Sequence, residues 1–509
     1  MNKKAFSDSN DRVITHTNDD VASAPHYQSQ STSSEAAMNE DEQQLTDSEG
    51  EDEFIRRHGH IDFQYIKKPK DAVWFIRPHA LNYFKDGVLY RTKGERTSAK
   101  TELFLDLMYV GIISNLAGHA TENASGGALL MYVLLFVPAW VVWADIKDFT
   151  NYYYTEDLSQ KVYIIWILIL LTLFVNSSSD VLNGIKGAAF TIVPYILCRV
   201  SLAISLLIYS LYIPEHRTQM RIYSVCIFIT SCIWIPVIFI STRAKIGVAI
   251  AVLFLEQLSF TVVYHPQTKR LLKLTTSTAL NIEHEIERFA TFVTIAIGEF
   301  LYKVVATNPL GTGFSSKFAR GTFLLLIAYI LFWIYNNGSN SKKATHALRN
   351  NGWTAITWIY CHLPLVASLV LGADAGGDLT SLDITSLSKH QEESVLERSS
   401  EEEPNMYALS FFFTGSICVS LLCMCIIGLA DKNEDPPNLH IVSRFWRVIW
   451  RAPIGIIIVL LSFAELDSTL LMGIVTILLA VLLVYESIVS TPQDCINYPL
   501  ARKRSLTLE

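Results

Sequence analysis

Residues 406–430 read MYALSFFFTGSICVSLLCMCIIGLA, a run that contains no charged side chain. A helix of about 20 apolar residues crosses the roughly 30 Å hydrocarbon core of a bilayer. This run is therefore predicted to be a transmembrane helix. Comparable runs recur along the chain from about residue 102 onward, so the segment is one of a series.

The composition of the whole chain agrees with a membrane protein. Of its 509 residues, 50% are hydrophobic and only 17% are charged, against about 25% charged residues in a typical soluble domain. The expected fold class is all-α, a polytopic transmembrane helical bundle of about twelve helices. The predicted helices lie at 102–120, 129–147, 160–177, 187–210, 221–241, 244–264, 287–308, 320–338, 353–374, 406–430, 450–464 and 468–488.

The polar segments divide the rest of the chain. Residues 1–60 are rich in Ser, Asp, Glu and Gln and are predicted to form a disordered acidic tail. Residues 61–100 mix aromatic and basic side chains, which is typical of a juxtamembrane segment at the headgroup surface. The transmembrane domain is expected at 101–490, with a long acidic loop at 375–405, and a C-terminal tail at 491–509.

The distribution of Lys and Arg predicts the orientation. Basic residues concentrate before the first helix and in alternate loops, such as the loop with Lys147 and the one with Lys269 and Arg270. Arg243 breaks this pattern without reversing it. By the positive-inside rule both termini are predicted to be cytoplasmic, in the plasma membrane or an internal membrane. The glycosylation sequon at Asn123 and a second one at Asn176 both fall on the opposite side.

Soluble-type functional motifs are missing from the sequence. The net charge of −7 and the acidic clusters argue against nucleic acid as a partner. The eight cysteines show no metal-site or disulfide spacing. His284-Glu285 begins like a metalloprotease motif, but position 288 is Arg. We therefore expect no enzyme activity, no metal and no cofactor.

Two acidic residues lie close together in the first predicted helix. Glu102 and Asp106 are four residues apart and therefore share one helix face. Like charges there repel unless a cation, a proton or a basic side chain compensates. A functional role is one interpretation. The alternative is that Glu102 merely begins the helix and that Asp106 pairs with a buried Arg.

A third acid lies deeper, in the seventh predicted helix. At 1.5 Å per residue, Glu299 is about 18 Å along the axis from Glu287, which places it near mid-membrane. Lys303 follows one turn later and would form an ion pair with it in a purely structural interpretation. Arg199 is a natural buried partner for Asp106 or Glu299.

Other ionisable residues in or near the helices are weaker candidates. His362 is as consistent with a hydrogen-bonded core histidine as with proton handling. Glu256 is also expected inside the membrane, and Asp374 at the outer end of its helix. Asp145 and Asp148 are expected in a solvated loop between the second and third helices.

Four motifs of the chain, residues 102–110 (ELFLDLMYV), 155–158 (TEDL), 287–299 and 362–365, follow one another in the order of a known family. The first two resemble the Glu-Leu-Phe-Phe-Asp-Leu-Val-Phe-Val motif and the Thr-Asp-Asp-Leu loop of the low temperature requirement A (LtrA) family. Residues 287–299 resemble its Glu-Arg-Phe…Leu-Gly-Glu helix, and residues 362–365 its His-Leu-Pro-Leu helix. The resemblance implies a multi-pass membrane protein connected by name with growth at low temperature. It supplies no substrate, and Lys303 departs from the pattern.

Two further features concern the whole chain. The acidic tail and the 375–405 loop look like a eukaryotic, fungal elaboration of the family. The first and seventh predicted helices begin alike, with Glu102-Leu-Phe and Glu287-Arg-Phe. Two parallel six-helix halves would explain this likeness, and chance similarity between apolar helices is the alternative.

The leading functional hypothesis is a transporter or ion-permeation protein. Glu102, Asp106 and Glu299 would line a central polar site, with Arg199 and Lys303 balancing their charge. The expected partners are membrane lipid and a small ion or proton. The alternative is a membrane sensor or scaffold in stress or cold adaptation, whose acidic tail recruits cytosolic proteins.

Overall fold

The structure is a computed structural model that describes residues 62–66, 74–92, 96–307, 310, 313–336, 346–381, 406–431 and 442–491. Within these ranges, twelve helices are long and apolar enough to cross a membrane. The predicted all-α transmembrane bundle is therefore confirmed. In chain order the helices are α1 (Lys100–Glu122), α2 (Gly126–Tyr153), α3 (Leu158–Asn176), α4 (Gly184–Tyr212), α5 (Arg217–Val237), α6 (Thr242–Tyr264), α7 (Ile282–Tyr302), α8 (Ser316–Asn336), α9 (Gly352–Ser381), α10 (Met406–Ala430), α11 (Arg451–Leu460) and α12 (Ser468–Val489).

Shorter helical elements extend or connect these spans. A π-helical turn continues α7, and α11 is flanked by a short helix and a 3₁₀ turn, so that its span covers Arg444–Ala464. The short elements are Ser178–Asp180, Pro266–Leu271, Lys303–Thr307, Ala347–Asn350, Arg444–Val448 and Leu461–Ala464.

Two helices are longer than the sequence predicted. α2 continues to Tyr153, so Asp145 and Asp148 lie in the helix and not in a solvated loop. α9 continues to Ser381, so residues 375–381 of the predicted outer loop are helical and Asp374 lies inside the helix. A prediction from hydropathy alone ends a helix at the first polar residues. In this structure those polar residues have partners on neighbouring helices, so the helices continue.

A four-stranded sheet lies at one end of the bundle, with the order β1-β3-β2-β4. Its strands are β1 (Phe63–Ile66), β2 (Asn82–Lys85), β3 (Val88–Thr92) and β4 (Thr276–Thr278). β1 is parallel to β3, and β2 is antiparallel to both β3 and β4. The sequence analysis did not foresee these strands. The juxtamembrane segment thus pairs with β4, which belongs to the connection between α6 and α7.

The β2–β3 hairpin turns at Asp86-Gly87, where both residues have positive φ, 51° and 85°. A two-residue turn of this kind matches the twist of the strands, and it requires residues that tolerate a left-handed backbone. Asp-Gly is the commonest sequence for such a turn. The hairpin was therefore readable in the sequence, although its strands are short.

The sheet defines two ends of the bundle, which we call the sheet side and the distal side. Leu81 N donates to Tyr152 O at 3.2 Å, so α2 ends on the sheet side and α1 begins there. The sequon residues Asn123 and Asn176 cap or end α1 and α3 at the distal side. Which side faces the cytoplasm remains a prediction, as do the two six-helix halves.

Aromatic rings join α1, α2 and α7 at the centre of the bundle. Trp143 stacks on Phe292 with ring centroids 4.2 Å apart. Tyr109 and Trp140 contact the same Phe292 ring, at 5.8 and 5.9 Å. Rings of this size bury large apolar areas and prefer such offset contacts. They fix the helices that carry the polar residues described below.

Candidate binding cavity

A cavity of about 620 Å³ lies among α2, α4, α5, α6, α7 and α9 and extends to the sheet side. Pockets for small molecules typically measure about 300–1,000 Å³. Strands β2, β3 and β4 contribute to its wall through residues such as Phe84, Leu89 and Thr278. Its wall is strongly aromatic and includes Trp140, Tyr152, Tyr223, Phe260, Tyr264, Phe289 and Tyr360.

The first charged group on the wall is the Arg199 triad, which consists of Arg199, Asp145 and Glu256. Arg199 of α4 forms an ion pair with Asp145 of α2. On its other side, Arg199 Nε lies 3.9 Å from Glu256 Oε1 of α6. All three side chains are buried, so one guanidinium faces two carboxylates away from bulk water.

Hydroxyl and indole donors hold the two carboxylates of the Arg199 triad in place. Tyr223 donates to Asp145 Oδ1 at 2.9 Å. Tyr195 donates to Glu256 Oε2 at 2.6 Å, and Trp234 Nε1 donates to Glu256 Oε1 at 3.1 Å. Hydrogen bonds to the charged form stabilise a carboxylate, so α4, α5 and α6 are tied to α2 through this group.

The second charged group is the Lys147 triad, which consists of Lys147, Asp148 and Glu285. Lys147 of α2 forms an ion pair with Glu285 of α7, and its Nζ also lies 2.8 Å from Asp148 Oδ1. The ammonium is 4.7 Å from the centroid of the Phe289 ring, a cation–π distance. Asn151 Nδ2 donates to Glu285 Oε2 at 3.3 Å. Lys147 and Glu285 are fully buried.

The two triads leave the inner wall with an excess of negative charge. Four carboxylates face two cations, so the wall carries two negative charges when all the groups are ionised. Charged groups are costly within a membrane and normally mark an ion or substrate path. The excess favours the entry of a cation or a proton into the cavity.

The sheet-side mouth of the cavity has a different charge balance. Arg349 and Glu283 pair at 2.5 Å and cancel each other. Two further cations, Lys269 and Arg91, line the cavity. Lys269 donates to Thr278 O at 2.9 Å. Burial lowers the pKa of Lys269 to about 8, because desolvation disfavours the ammonium. His346, whose pKa burial lowers to about 4, remains neutral here at physiological pH.

Glu102 and Asp106 are completely buried, but neither is among the described residues that line the cavity. Glu102 occupies the first turn of α1, where it accepts from Ala99 N at 2.9 Å and from Arg96 at 3.2 Å. Its Oε2 also lies 3.1 Å from His284 Nε2. Glu102 therefore caps α1 and holds α7 beside it.

Asp106 has a buried arginine partner, but not the one that was predicted. It accepts from Arg288 Nη2 of α7 at 2.8 Å and from Trp143 Nε1 at 2.9 Å. Arg199 lies in α4 beside Asp145, so its expected pairing with Asp106 or Glu299 is wrong. The structure thus favours the structural interpretation of Asp106.

A short polar network connects these two acids with the cavity. Asn151 Nδ2 lies 3.3 Å from His284 Nδ1 and 3.3 Å from Glu285 Oε2. Since His284 contacts Glu102 and Glu285 belongs to the Lys147 triad, the capping group of α1 and the cavity wall share Asn151. Glu102 and Asp106 therefore do not line the cavity, but they stabilise α7, which forms part of its wall.

Glu299 lies far from the other two predicted acids. It is half-buried and accepts from Ser114 Oγ at 2.7 Å. Ser114 follows Asp106 by eight residues, which is about 12 Å along α1. The structure therefore does not bring Glu102, Asp106 and Glu299 to one central site. The expected Glu299–Lys303 ion pair is also replaced, because Lys303 pairs with Asp374 of α9.

His362 matches the core-histidine interpretation. Its side chain is buried, with Nδ1 2.7 Å from Trp358 O and Nε2 3.1 Å from the Tyr335 hydroxyl. The Phe289 and Trp358 rings pack against it, with centroids at 4.5 and 4.3 Å. Both ring nitrogens are thus engaged within the bundle.

Several residues of the cavity were missed or misplaced by the sequence analysis. Lys147 was read only as a loop cation that sets the orientation. Glu285 was considered only as part of a metalloprotease pattern. Arg288, which lies outside the cavity, was considered as the residue that breaks this pattern and as part of the Glu-Arg-Phe motif, but not as the partner of Asp106. An available indication was the charged cluster 145–148 directly after an apolar run, which a longer helix would carry into the bundle.

Comparison with known proteins identifies the family. The sequence model described as "Bacterial low temperature requirement A protein (LtrA)" matches residues 97–485. No curated protein and no solved structure gives a significant match. The matched range begins just before α1 and ends within α12, and it contains both triads. The chain is a multi-pass membrane protein that belongs to the low temperature requirement A (LtrA) family.

Proposed function

We propose that the protein is a transporter that binds an organic cation in the cavity between α2, α4, α6, α7 and α9. The observation that carries this proposal is the excess of two carboxylates over cations in the two triads at the inner wall of a cavity of about 620 Å³, whose mouth holds the cations Lys269 and Arg91. A buried negative excess is compensated most directly by a positively charged solute.

The aromatic wall supports an organic solute. Aromatic faces attract cations by about 0.5–2 kcal/mol, and they also bury apolar groups of the same molecule. Tyr152, Phe260 and Tyr264 line the cavity together with the triads. Within the described residues, no group of three or more His, Cys, Asp or Glu side chains is placed to hold a metal ion. A cationic organic molecule fits this combination better than a metal ion does.

The proposal involves binding and translocation without chemistry on the solute. Each carboxylate of the triads contacts a basic side chain, and those of the Arg199 triad also accept from hydroxyl or indole donors. This arrangement stabilises charge and does not activate a nucleophile. Access would be from the sheet side, which we propose to be cytoplasmic because Lys269, Arg270 and Arg349 lie in its loops.

The experiment is uptake of radiolabelled tetraethylammonium by liposomes that contain the full-length protein. The variants are Glu256→Gln and Asp148→Asn, each of which removes one carboxylate and leaves the remaining acid and base as a neutral pair. Both should therefore fold. At an effective dielectric constant of about 20, one charge about 10 Å away contributes roughly 1.7 kcal/mol. Uptake at low solute concentration should fall on the order of tenfold in each variant.

The matched control is Glu465→Gln, which changes an exposed acid in the connection between α11 and α12. It should transport like the unchanged protein. Radiolabelled benzoate, an organic anion of similar size, should not accumulate. Equal uptake by all three variants would contradict the assignment of the triads. Uptake no greater than that of empty liposomes would contradict transport of this cation class.

A further inference from the structure

A second group of buried charges lies in the distal half of the bundle, away from the cavity. We call it the distal cluster; it consists of Glu299 and Lys303 from the end of α7, and of Asp374 and Asp378 from α9. None of these four residues is among those that line the cavity. Lys303 begins the π-helical turn that continues α7, a distortion that is often found at functional sites.

Lys303 is held against α9 by an ion pair and by the absence of a side chain at Gly377. It pairs with Asp374 Oδ1. A Cβ atom at residue 377 would lie 2.9 Å from Lys303 Cβ, closer than such atoms approach. Glycine at this position therefore lets the lysine stem run along α9 and reach Asp374.

Negative charge exceeds positive charge in the distal cluster. Glu299, Asp374 and Asp378 are three carboxylates, and Lys303 is the ammonium among them. The negative charges of Asp378 and Glu299 act on Asp374, and Lys303 attracts all three acids. With every group ionised, the cluster carries a charge of −2. Like charges that act on one another in this way disfavour the ionised form of Asp374.

The position of Asp374 identifies where that compensation is needed. Its exposed fraction is only 2%. Its Oδ1 pairs with Lys303, whereas its Oδ2 is buried without a hydrogen-bond partner among the described residues. An ionised oxygen without a donor is costly away from water. A proton on Oδ2 removes that charge and turns the oxygen into a hydrogen-bond donor.

The helices packed around the cluster add few other charges. α1 contributes Glu122 and its partner His119, which lie 3.5 Å apart near the distal surface. α2 contributes the Tyr132 hydroxyl, which donates to Ala367 O at 2.8 Å. α8 contributes Arg320, which donates to Thr380 O at 3.2 Å. None of these contacts places a donor on Asp374 Oδ2.

Where α10 packs against α9, its contacts are uncharged. Near Gly372 and Gly376 they come from Ser416 and Phe413. Among the described residues, Asp374 Oδ2 therefore receives no donor from these helices, and a proton from solution would supply one. Glu299 and Asp378, which act on Asp374, are only partly buried.

We propose that the distal cluster is a proton-binding site, in which one proton is taken up on Asp374 Oδ2 and the charge of the cluster changes from −2 to −1. Lys303 already pairs with Asp374, and no metal-binding group is present in the described part of the chain. A proton is thus favoured over a metal ion. Its role as the coupling ion rests on the proposed transport function, but the site itself does not.

The test is pH-difference infrared spectroscopy of the full-length protein in lipid nanodiscs. As the pH is lowered, the unchanged protein should develop the carbonyl band of a protonated carboxylic acid in an apolar environment. Asp374→Asn should lose that band, and the exposed control Glu465→Gln should retain it. If Asp374→Asn does not fold, Lys303→Met/Asp374→Asn replaces it, since removal of both partners leaves no unpaired charge.

Persistence of the band in the Asp374 variants would overturn the proposal. A titration that shifts when Na⁺ replaces choline at constant ionic strength would also overturn it, in favour of a sodium site. The measurement needs no transported solute. If Asp374→Asn lost the band and the unchanged protein showed no tetraethylammonium uptake, the proton site would be supported and the proposed transport function would be contradicted.

Discussion

Arg288 of α7 donates to Asp106 of α1 at 2.8 Å, and both side chains are completely excluded from solvent. Two helices that carry motifs of the family are therefore joined by a buried ion pair. Asp106 Oδ2, Arg288 Nε and Arg288 Nη1 have no further hydrogen-bond partner among the described residues. The hydrogen-bonding atoms of the pair are thus only partly satisfied, and each charge is compensated mainly by the other.

Removal of one member should destabilise the protein more than removal of both. Asp106→Asn leaves a buried guanidinium without its carboxylate, which typically costs about 3–5 kcal/mol. The double variant Asp106→Leu/Arg288→Met should recover most of that stability, because no unpaired charge remains. Thermal unfolding in detergent, followed by size-exclusion fluorescence, measures the stability of the single and the double variant. Equal losses in the single and double variants would contradict this coupling.

A second buried pair provides a control for effects on the cavity. Arg451 and Glu486 form two hydrogen bonds of 2.7 and 2.8 Å, and neither is among the residues that line the cavity. Glu486→Gln should lower stability as Asp106→Asn does. Only Asp106→Asn should also reduce tetraethylammonium uptake per folded molecule, because it leaves a positive charge behind the Lys147 triad. A loss of uptake in both variants would indicate a general folding defect.

Binding of a cation should strengthen as the pH rises from 7 to 9. The pKa of Lys269 is lowered to about 8 by burial. Below that pH its ammonium repels a cation in the cavity, and above it the amine is neutral. The affinity of purified protein for tetraethylammonium should increase on the order of fivefold over this range.

The lysine responsible can be tested directly. Lys269→Gln should bind the cation with the higher affinity at both pH values. Arg270→Gln, which changes the exposed neighbour on the same short helix, should keep the pH dependence. A flat profile in the unchanged protein, or the same slope in Lys269→Gln, would show that another group controls binding.

Removal of residues 1–60 should leave tetraethylammonium uptake unchanged. The triads and the cavity are formed by residues of the bundle and the sheet, whereas this segment lies outside the described residues. The comparison is uptake in liposomes by the full and shortened chains at equal protein content. If the deletion abolished function in cells while Glu256→Gln and Glu299→Gln did not, the sensor or scaffold hypothesis would be preferred.

Tags at the two ends of the chain should lie on the same side of the membrane. The twelve spans found in the described part of the chain return it to the side where α1 begins, and the loop charges predict that side to be cytoplasmic. In cells, a membrane-impermeant label should reach neither tag until the membrane is permeabilised. A cysteine at Asn123, which is exposed in the distal connection after α1, should be labelled in intact cells if the host is the plasma membrane. Labelling of the tags in intact cells would instead show that both ends face the outside, which contradicts the predicted orientation.

The helices were largely predictable from the sequence, and the site was not. Apolar runs report helices because the bilayer demands them, and the Glu102–Asp106 and Glu287–Glu299 motifs identified the family. Hydropathy could not show that α2 continues past Lys147. The charges of Asp145 and Lys147 are compensated by Arg199 and Glu285, which lie on other helices. Such pairings depend on tertiary packing, which a single sequence does not contain. The Asp86-Gly87 turn, by contrast, is a local sequence pattern from which the β-hairpin could have been predicted.

The two triads have one helix in common. Asp145 and Lys147 lie within a single turn of α2, and their partners Arg199 and Glu285 lie on two other helices. A rotation of α2 about its axis would carry Asp145 away from Arg199 and Lys147 away from Glu285 in the same movement. Both ion pairs therefore constrain the rotation of α2, and under the proposed function a cation bound at the wall would weaken the two pairs together.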